Sequence, residues 1–273
     1  MFDDFAGKNV VITGGGGGIG AALGEAFLAA GAQVALIDVG QEALQKVAEA
    51  NLAAVNAGQL LTVVTDIRSD DSVAAAMATI IDAFGDIHIL VNNAAIVLRG
   101  LPASEIPMEA WQSVMDVNFF GTVRCTNALL PNMQAHGQPA KIVNIASAAG
   151  FFASGRGTAA YGASKFAVVV FSEDLEIELA QSNVDVCIVA PAAVATQMYV
   201  TSAQFLDEIT EDKAALENTI KVPTADIRAG MKPAEMANKI LTALKTDAFY
   251  IMTHSEVMPL VKKRHSRILG AFK

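Results

Sequence analysis

The sequence is poor in cysteine, has no long uncharged apolar run and carries no excess of basic residues. Its two cysteines, Cys125 and Cys187, lie far apart without a CxxC pair, which predicts buried free thiols rather than a disulfide framework. No apolar run approaches the roughly 18 residues of a membrane span, and the stretch MFDDFAGKN lacks the apolar core of a secretion signal. We therefore expect a cytoplasmic protein with no membrane partner.

The balance of charge is acidic. The chain has 28 Asp and Glu against 19 Lys and Arg, a formal net charge of -9, and no basic stripe offsets it. Nucleic acid is therefore not an expected partner. The basic cluster between Lys262 and Arg267 is interpreted as the solvated face of a last helix, where the helix dipole favours positive charge. No metal is expected, because metal-ligand spacing is missing among the four histidines His88, His136, His254 and His265.

Short runs rich in Val, Ile and Leu alternate with longer amphipathic runs along the 273 residues. Apolar strands that are each followed by a helix are typical of a parallel sheet covered on both faces. We therefore predict one α/β domain over residues 1–273, with a doubly wound, mainly parallel sheet. The seven predicted strands are KNVVITG, AQVALID, LLTVVTD, DIHILVNNA, AKIVNIAS, VDVCIVAP and AFYIMT. The predicted helices cover about residues 20–30, 42–55, 70–84, 110–136, 159–181 and 233–246, with an irregular segment at about 192–232.

Five consecutive glycines, Gly14 to Gly18, separate the first predicted strand from the first helix. Two glycine motifs overlap here: GxGxxG starts at Gly15, TGxxxGxG starts at Thr13, and both end at Gly20. No Lys follows, which excludes a phosphate-binding P-loop. A tight glycine turn between strand and helix lets backbone N–H groups and the helix N-terminus hold a pyrophosphate. The stretch therefore indicates a dinucleotide site of the Rossmann type.

Asp38 ends the second predicted strand, 18 residues after Gly20. A carboxylate in this place can accept hydrogen bonds from an adenosine ribose. Val39 and Gly40 follow it, so no basic side chain stands beside it to receive the 2′-phosphate of NADP. We therefore predict NAD as the cofactor.

Four polar residues in the second half of the chain form a second constellation. YGASK places Tyr161 and Lys165 four residues apart, on one face of a helix. Ser147 ends the fifth predicted strand, Asn118 lies in a long helical stretch, and NNAA (residues 92–95) ends the fourth strand. With these residues the chain resembles a classical short-chain dehydrogenase/reductase over nearly its whole length.

The resemblance implies a role for each of the four catalytic candidates. Tyr161 would exchange the hydroxyl proton, Ser147 would hydrogen-bond the substrate oxygen, and Asn118 would hold a water that relays protons. Lys165 would bind the nicotinamide ribose and lower the pKa of Tyr161. An ammonium at ~4 Å contributes about 4 kcal/mol at an effective dielectric of ~20. That is the order needed to lower a tyrosine pKa by about 2–3 units.

The resemblance also assigns the cofactor contacts. In this family the glycine pattern is TGxxxGxG, so Gly15 to Gly17 would occupy variable positions. Asp66 would contact the adenine and Thr196 the carboxamide. The NAD-binding residues expected are Gly14, Gly18, Ile19, Gly20, Asp38, Asp66, Ile67, Asn93, Tyr161, Lys165, Val194 and Thr196.

The expected substrate is a small hydrophobic secondary alcohol or its ketone, because the residues near the catalytic tyrosine are apolar and partly aromatic. The main candidates for the substrate pocket are Ser147, Phe151, Phe152, Tyr161, Met198 and Tyr199, with further apolar wall from Val97, Leu98, Phe205, Leu206 and Ile209.

Two departures and two alternatives accompany the resemblance. Ala95 and Ala192 stand where the family usually has Gly. A catalytically silent dinucleotide-binding regulator is one alternative, which the retained polar constellation disfavours. A sugar-nucleotide epimerase or dehydratase is the other, which the chain length disfavours. The resemblance and the apolar stretch FAVVVF (residues 166–171) predict a homo-oligomer, a tetramer or a dimer.

Overall fold

The structure is a computed structural model, and it describes residues 2–155, 157–209 and 229–272, with no side chains for residues 205–209. Its centre is a seven-stranded sheet in which every pairing is parallel. The strands are β1 Asn9–Thr13, β2 Gln33–Asp38, β3 Leu60–Val64, β4 Ile89–Asn92, β5 Ala140–Ile145, β6 Val184–Ala190 and β7 Tyr250–Met252. Their order in the sheet is β3-β2-β1-β4-β5-β6-β7, which confirms the predicted doubly wound, mainly parallel Rossmann-type sheet.

Helices connect the strands and cover the sheet. Within the described residues they are α1 Gly18–Ala29, α2 Gln41–Ala50, α3 Leu52–Asn56, α4 Asp70–Phe84, α5 Met108–Met115, α6 Gly121–Ala135, α7 Ala159–Glu178, α8 Met198–Ile209, α9 Pro233–Leu244 and α10 Met258–Leu269. A single π-helical turn, Asp116–Phe120, joins α5 to α6. The predicted irregular segment at 192–232 contains α8, and its residues 210–228 lie outside the described residues.

The strands are apolar on both faces because each face has its own core. Val10 and Ile12 point into a core with side chains of α1 and α9, whereas Val11 between them joins a core with α4, α5, α6 and α7. This alternation follows from the two-residue period of a strand. Cys125 and Cys187 are buried as free thiols, as predicted, and burial raises the pKa of each to about 12.

The sheet order reverses between β1 and β4, which are neighbours although two strands separate them in sequence. The carboxyl ends of parallel strands meet at one edge of the sheet, and a crevice forms where the order reverses. The glycine turn after β1 and the NNAA stretch at the end of β4 therefore meet at this edge.

Candidate active site

The glycine turn is held by close backbone contacts and by Asn93. A side chain at Gly20 would collide with the carbonyl oxygen of Gly14, so the start of α1 can pack here only as glycine. Asn93 donates from Nδ2 to the carbonyl oxygen of Thr13 at 2.9 Å, and Thr13 Oγ1 accepts the backbone N–H groups of Asn93 and Ala94 at 2.9 Å each. The end of β4 thereby fixes the shape of the turn.

The structure corrects one expectation about the glycines. Gly15 and Gly16 do not occupy freely variable positions. A Cβ on Gly15 would lie 2.6 Å from Leu36 Cβ, and a Cβ on Gly16 would lie 2.8 Å from Ala43 Cβ and 3.0 Å from the carboxylate of Asp38. Only Gly17 of the three has open space around it. Packing of the turn against β2 and α2 therefore adds two steric requirements to the three in the motif.

The two acidic cofactor candidates are both held in place. The Asp38 carboxylate accepts the backbone N–H of Gly16 at 3.0 Å and that of Gly40 at 2.9 Å. Arg68 pairs with the carboxylate of Asp66 through two nitrogens, at 2.9 and 2.7 Å, and this pairing holds the pKa of Asp66 below its usual range. Asp38 is thus presented by the turn itself, whereas Asp66 is partly neutralised by a neighbour.

Tyr161 and Lys165 lie one turn apart on α7 and face Ser147. Lys165 Nζ lies 5.9 Å from the centre of the Tyr161 ring and donates to the carbonyl oxygen of Ile145 at 2.8 Å. Ser147 follows β5 and caps a short turn, Ala148–Gly150, with its Oγ accepting the N–H of Ala149 at 3.1 Å. The three predicted catalytic side chains therefore come together.

The pKa of Tyr161 does not fall as expected. Burial raises the pKa of Tyr161 to about 12, although its hydrogen bond with Ser147 acts in the opposite direction. Burial also lowers the pKa of Lys165 to about 7. Desolvation, which disfavours the charged form of each side chain, is the largest cause of both shifts.

Asn118 lies in the π-helical turn and is fully buried. Its Oδ1 accepts the N–H of Ile96 at 2.8 Å, and its Nδ2 donates to the carbonyl oxygen of Ile96 and to Ser164 Oγ, at 2.9 Å each. The side chain therefore ties the segment after β4 to α7.

One cavity of about 530 Å³ joins the glycine turn to the catalytic residues. Its wall excludes Gly20, which is packed beneath the turn, and Asn118, which lies behind the wall. The predicted site residues that line it are Gly14, Gly18, Ile19, Asp38, Asp66, Ile67, Asn93, Ser147, Tyr161, Lys165, Val194, Thr196, Met198 and Tyr199.

The predicted aromatic part of the substrate pocket is corrected. Phe151 packs on the core of Val168 and Ile188 and meets Tyr250 edge-on at 5.9 Å, away from the cavity wall. Phe152 also does not line the cavity. Leu98 belongs to the core, because the chain after β4 turns inward there, while Val97 lines the cavity. The side chains of Phe205, Leu206 and Ile209 lie outside the described residues.

The loop after β6 is held in place by a hydrogen bond to His254, which follows β7. His254 is buried just after β7, and its Nδ1 accepts the backbone N–H of Ala192 at 3.2 Å. The loop also forms a bridge between Val194 and Met231, and Thr196 lies over the glycine turn, in contact range of Gly18. Ala192, which replaces the family's usual glycine, is therefore part of a fixed wall.

Sequence reasoning missed three residues near the cavity. Arg99 and Arg68 line it, and His254 supports its wall. Arg68 could have been found from its position two residues after Asp66. The other two carry no local signal, because they reach the site only through the folded chain.

The glycine turn between β1 and α1, together with Ser147, Tyr161 and Lys165, defines a dehydrogenase or reductase that binds a dinucleotide at a Rossmann-type sheet. The sequence pattern described as short chain dehydrogenase matches residues 8–207. The chain belongs to the short chain dehydrogenase family.

Individual relatives agree with this assignment. The chain is 32% identical to a 1-deoxy-11-beta-hydroxypentalenate dehydrogenase of Streptomyces exfoliatus, over 91% of this chain and 84% of that protein. It is 35% identical to a 2,5-dichloro-2,5-cyclohexadiene-1,4-diol dehydrogenase of Sphingobium indicum, over 71% and 76%. A short chain dehydrogenase/reductase of Burkholderia phymatum, solved in complex with NAD, superposes with a TM-score of 0.91, 29% identity and coverage of 100% and 98%.

The glycine turn fits a dinucleotide, because Gly14, Gly16, Gly17 and Gly18 line the cavity at the N-terminus of α1. Among the residues that the structure describes, no group of three His, Cys, Asp or Glu side chains is placed to hold a metal ion. No helix in that part of the chain has the length and apolar character needed to cross a membrane.

Proposed function

We propose that the protein is an NAD(H)-dependent oxidoreductase that interconverts a small hydrophobic secondary alcohol and its ketone. The observation that carries the proposal is the meeting of Ser147, Tyr161 and Lys165 in the cavity that also contains the glycine turn. Support for the substrate class comes from a cavity wall that includes Ile96, Val97 and Met198. The relative named for a cyclic diol fits the same class.

The chain's own residues would manage the hydroxyl proton. When bound, the nicotinamide cofactor accepts or supplies the hydride. Tyr161 would take the proton from the alcohol or return it to the ketone oxygen, and Ser147 would hold that oxygen by a hydrogen bond. Lys165, buried beneath the tyrosine, would stabilise the phenolate whenever it carries its own proton. Gly14, Gly18 and Asp38 would hold the dinucleotide, with the other cofactor residues predicted above.

The protein would work as a single-domain homo-oligomer in the cytoplasm, with no nucleic acid, membrane or metal partner. These parts of the proposal rest on the sequence and on the family resemblance. The silent dinucleotide-binding regulator becomes one outcome of the activity test.

The activity test compares Tyr161→Phe with Tyr250→Phe. Both variants lose one phenolic hydroxyl, but Tyr250 bonds Glu173 outside the cavity. With NADH and a panel of hydrophobic ketones, we expect Tyr161→Phe to lower kcat by about a hundredfold or more, the size of a lost acid–base group. Tyr250→Phe should keep its activity, and NADH binding should survive in both. A wild-type protein that binds NADH but reduces no ketone and oxidises no alcohol would instead be a regulator.

The cofactor test uses Asp38. A 2′-phosphate beside this carboxylate would add repulsion of about 1 to 4 kcal/mol at ~4 Å, and the ribose hydrogen bonds, worth about 1.5–3 kcal/mol, would be lost. We expect kcat/KM to favour NAD over NADP by about a hundredfold or more, at about 1.4 kcal/mol per decade. Asp38→Ala should reduce this ratio. Equal efficiency of the two cofactors in the wild type contradicts the proposal, and an unchanged ratio in the variant contradicts its cause.

A further inference from the structure

The segment after β4 is fixed at both ends of a short stretch of cavity wall. The backbone N–H of Val97 donates to Ser202 Oγ of α8 at 3.0 Å. The backbone N–H of Gly100 donates to the carbonyl oxygen of Gly157 at 3.1 Å. Arg99 lies between these two fixed points, is half-buried, and lines the cavity. Its position is therefore set by the fold, as a binding residue requires.

This position is on the catalytic side of the cavity. Gly157 is in close contact with Gly100, and Thr158 follows it as the N-cap of α7. Tyr161 lies one helical turn beyond Thr158 on the same helix. Thr158 and Ser154 also line the cavity, and their hydroxyl oxygens lie 2.8 Å apart. The pairing of Gly100 with Gly157 thus brings the chain at Arg99 beside the start of α7.

The acidic residues of the cavity wall lie at one end, where Arg68 pairs with Asp66, and Arg99 lies at the other end. Asp38 and Asp66, the wall's only acidic residues in the described part of the chain, follow β2 and β3 on one side of the glycine turn. Arg99 follows β4, on the other side of the turn, and the buried Lys165 lies there too. The described wall at the substrate end is therefore basic within a chain of net charge -9.

We propose that Arg99 binds a carboxylate carried by the substrate, at the end remote from the carbinol that Tyr161 serves. The inference rests on the proposed function and narrows it to hydrophobic hydroxy acids and keto acids. A guanidinium presents a planar fork of donors that matches a carboxylate in a bidentate pair, and partial burial strengthens such a pair.

The test measures recognition separately from turnover. The probes are 4-acetylbenzoate and its methyl ester, which differ only in the charged group. Binding of each ketone to the protein–NAD⁺ complex is measured by calorimetry, where no hydride can be delivered to the ketone. The acid should bind at least tenfold more tightly than the ester. The ratio should fall towards one in Arg99→Met, and Arg99→Lys should restore part of it.

The control variant is Lys263→Met, which removes the same charge from the exposed helix α10. Lys263→Met should keep the ratio of acid to ester affinity, because we attribute this preference to Arg99 and not to the overall electrostatic potential of the protein. An acid preference that is missing in the wild type, or that persists in Arg99→Met, overturns the inference. Reduction of the methyl ester by NADH tests the oxidoreductase function independently. If no reduction occurs but the Arg99-dependent preference remains, the carboxylate site stands and the proposed reaction fails.

Discussion

Burial of Lys165 lowers the stability of the fold wherever the lysine is protonated. The residue is 2% exposed, and burial lowers its pKa from 10.5 to about 7. The folded protein therefore disfavours the protonated lysine, which the unfolded chain accepts freely. Between pH 7 and 10.5 the unfolded state binds more protons at this residue, so its contribution to the free energy of unfolding rises with pH. Below pH 7 the full penalty is present.

Replacing the lysine by methionine removes this penalty. One pKa unit corresponds to about 1.4 kcal/mol, and the lost hydrogen bond to the Ile145 carbonyl offsets about 1.5–3 kcal/mol. We expect Lys165→Met to be more stable than the wild type by about 2 kcal/mol at pH 6, and to lose that advantage at pH 9.5. The variant should also lose turnover. Urea unfolding at both pH values checks the sign, and a variant less stable at pH 6 contradicts it.

In the glycine turn between β1 and α1, the space available for a side chain differs from one glycine to the next. Gly16 lies against the Asp38 carboxylate and Ala43, whereas a Cβ on Gly17 would have no atom within 4 Å, and the φ of Gly17, 179°, is that of extended backbone. Alanine at position 16 must move Asp38 or the start of α2. Alanine at position 17 meets nothing and restricts only the unfolded chain.

The two alanine variants form a matched pair. We expect Gly16→Ala to raise the KM for NAD by about tenfold and to destabilise the fold by about 1–3 kcal/mol, as overpacking does. Gly17→Ala should leave both quantities nearly unchanged or raise stability slightly. Cofactor kinetics and thermal unfolding of the two variants decide the point. Equal effects of the two substitutions would mean that backbone conformation, rather than the contact with Asp38, determines which residues the turn tolerates.

The strands and helices show how much of the fold could be predicted from the sequence. All seven strands were predicted, because a strand covered on both faces must be apolar throughout. The boundaries of α4 were also correct, since Ser69 caps its N-terminus and Asp70 and Asp71 follow. The helix expected over 42–55 instead breaks at Asn51, whose Nδ2 bonds the carbonyl oxygen of Val47.

Other features depend on distant contacts and left no local pattern. The stretch predicted as one helix over 110–136 contains the π-helical turn that places Asn118. Phe151 was predicted to line the substrate pocket, but its ring packs into the core beneath α7. The grouping of Ser147, Tyr161 and Lys165, the proposed catalytic set, was predicted because these residues are chemically distinctive. Arg99 and His254 were not predicted as site residues, because they reach the cavity wall only in the folded chain.

At the scale of the whole molecule, α7 exposes two apolar side chains on a face that also carries Asp174. Val170 is 53% exposed and Ile177, two turns further, is 72% exposed. The same face fits the proposed homo-oligomer, in which a second copy would cover it.

A charge on this face should separate the copies. We expect the wild type to be a dimer or tetramer in light scattering, and Val170→Glu to shift the mass towards one chain, because an unpaired carboxylate would be buried. Val64→Glu is the control, since Val64 is also 53% exposed but lies on the edge strand β3. A monomeric wild type at micromolar concentration contradicts the oligomer, and an unchanged mass in Val170→Glu places the interface elsewhere.

The brace from His254 to Ala192 also has a consequence for synthesis. The two residues are 62 positions apart, and every residue of the described cavity wall precedes His254 in the chain. A ribosome therefore completes the glycine turn and the catalytic side chains before it makes the residue that braces their wall. A nascent or prematurely ended chain therefore carries Ser147, Tyr161 and Lys165 without the hydrogen bond from Ala192 to His254.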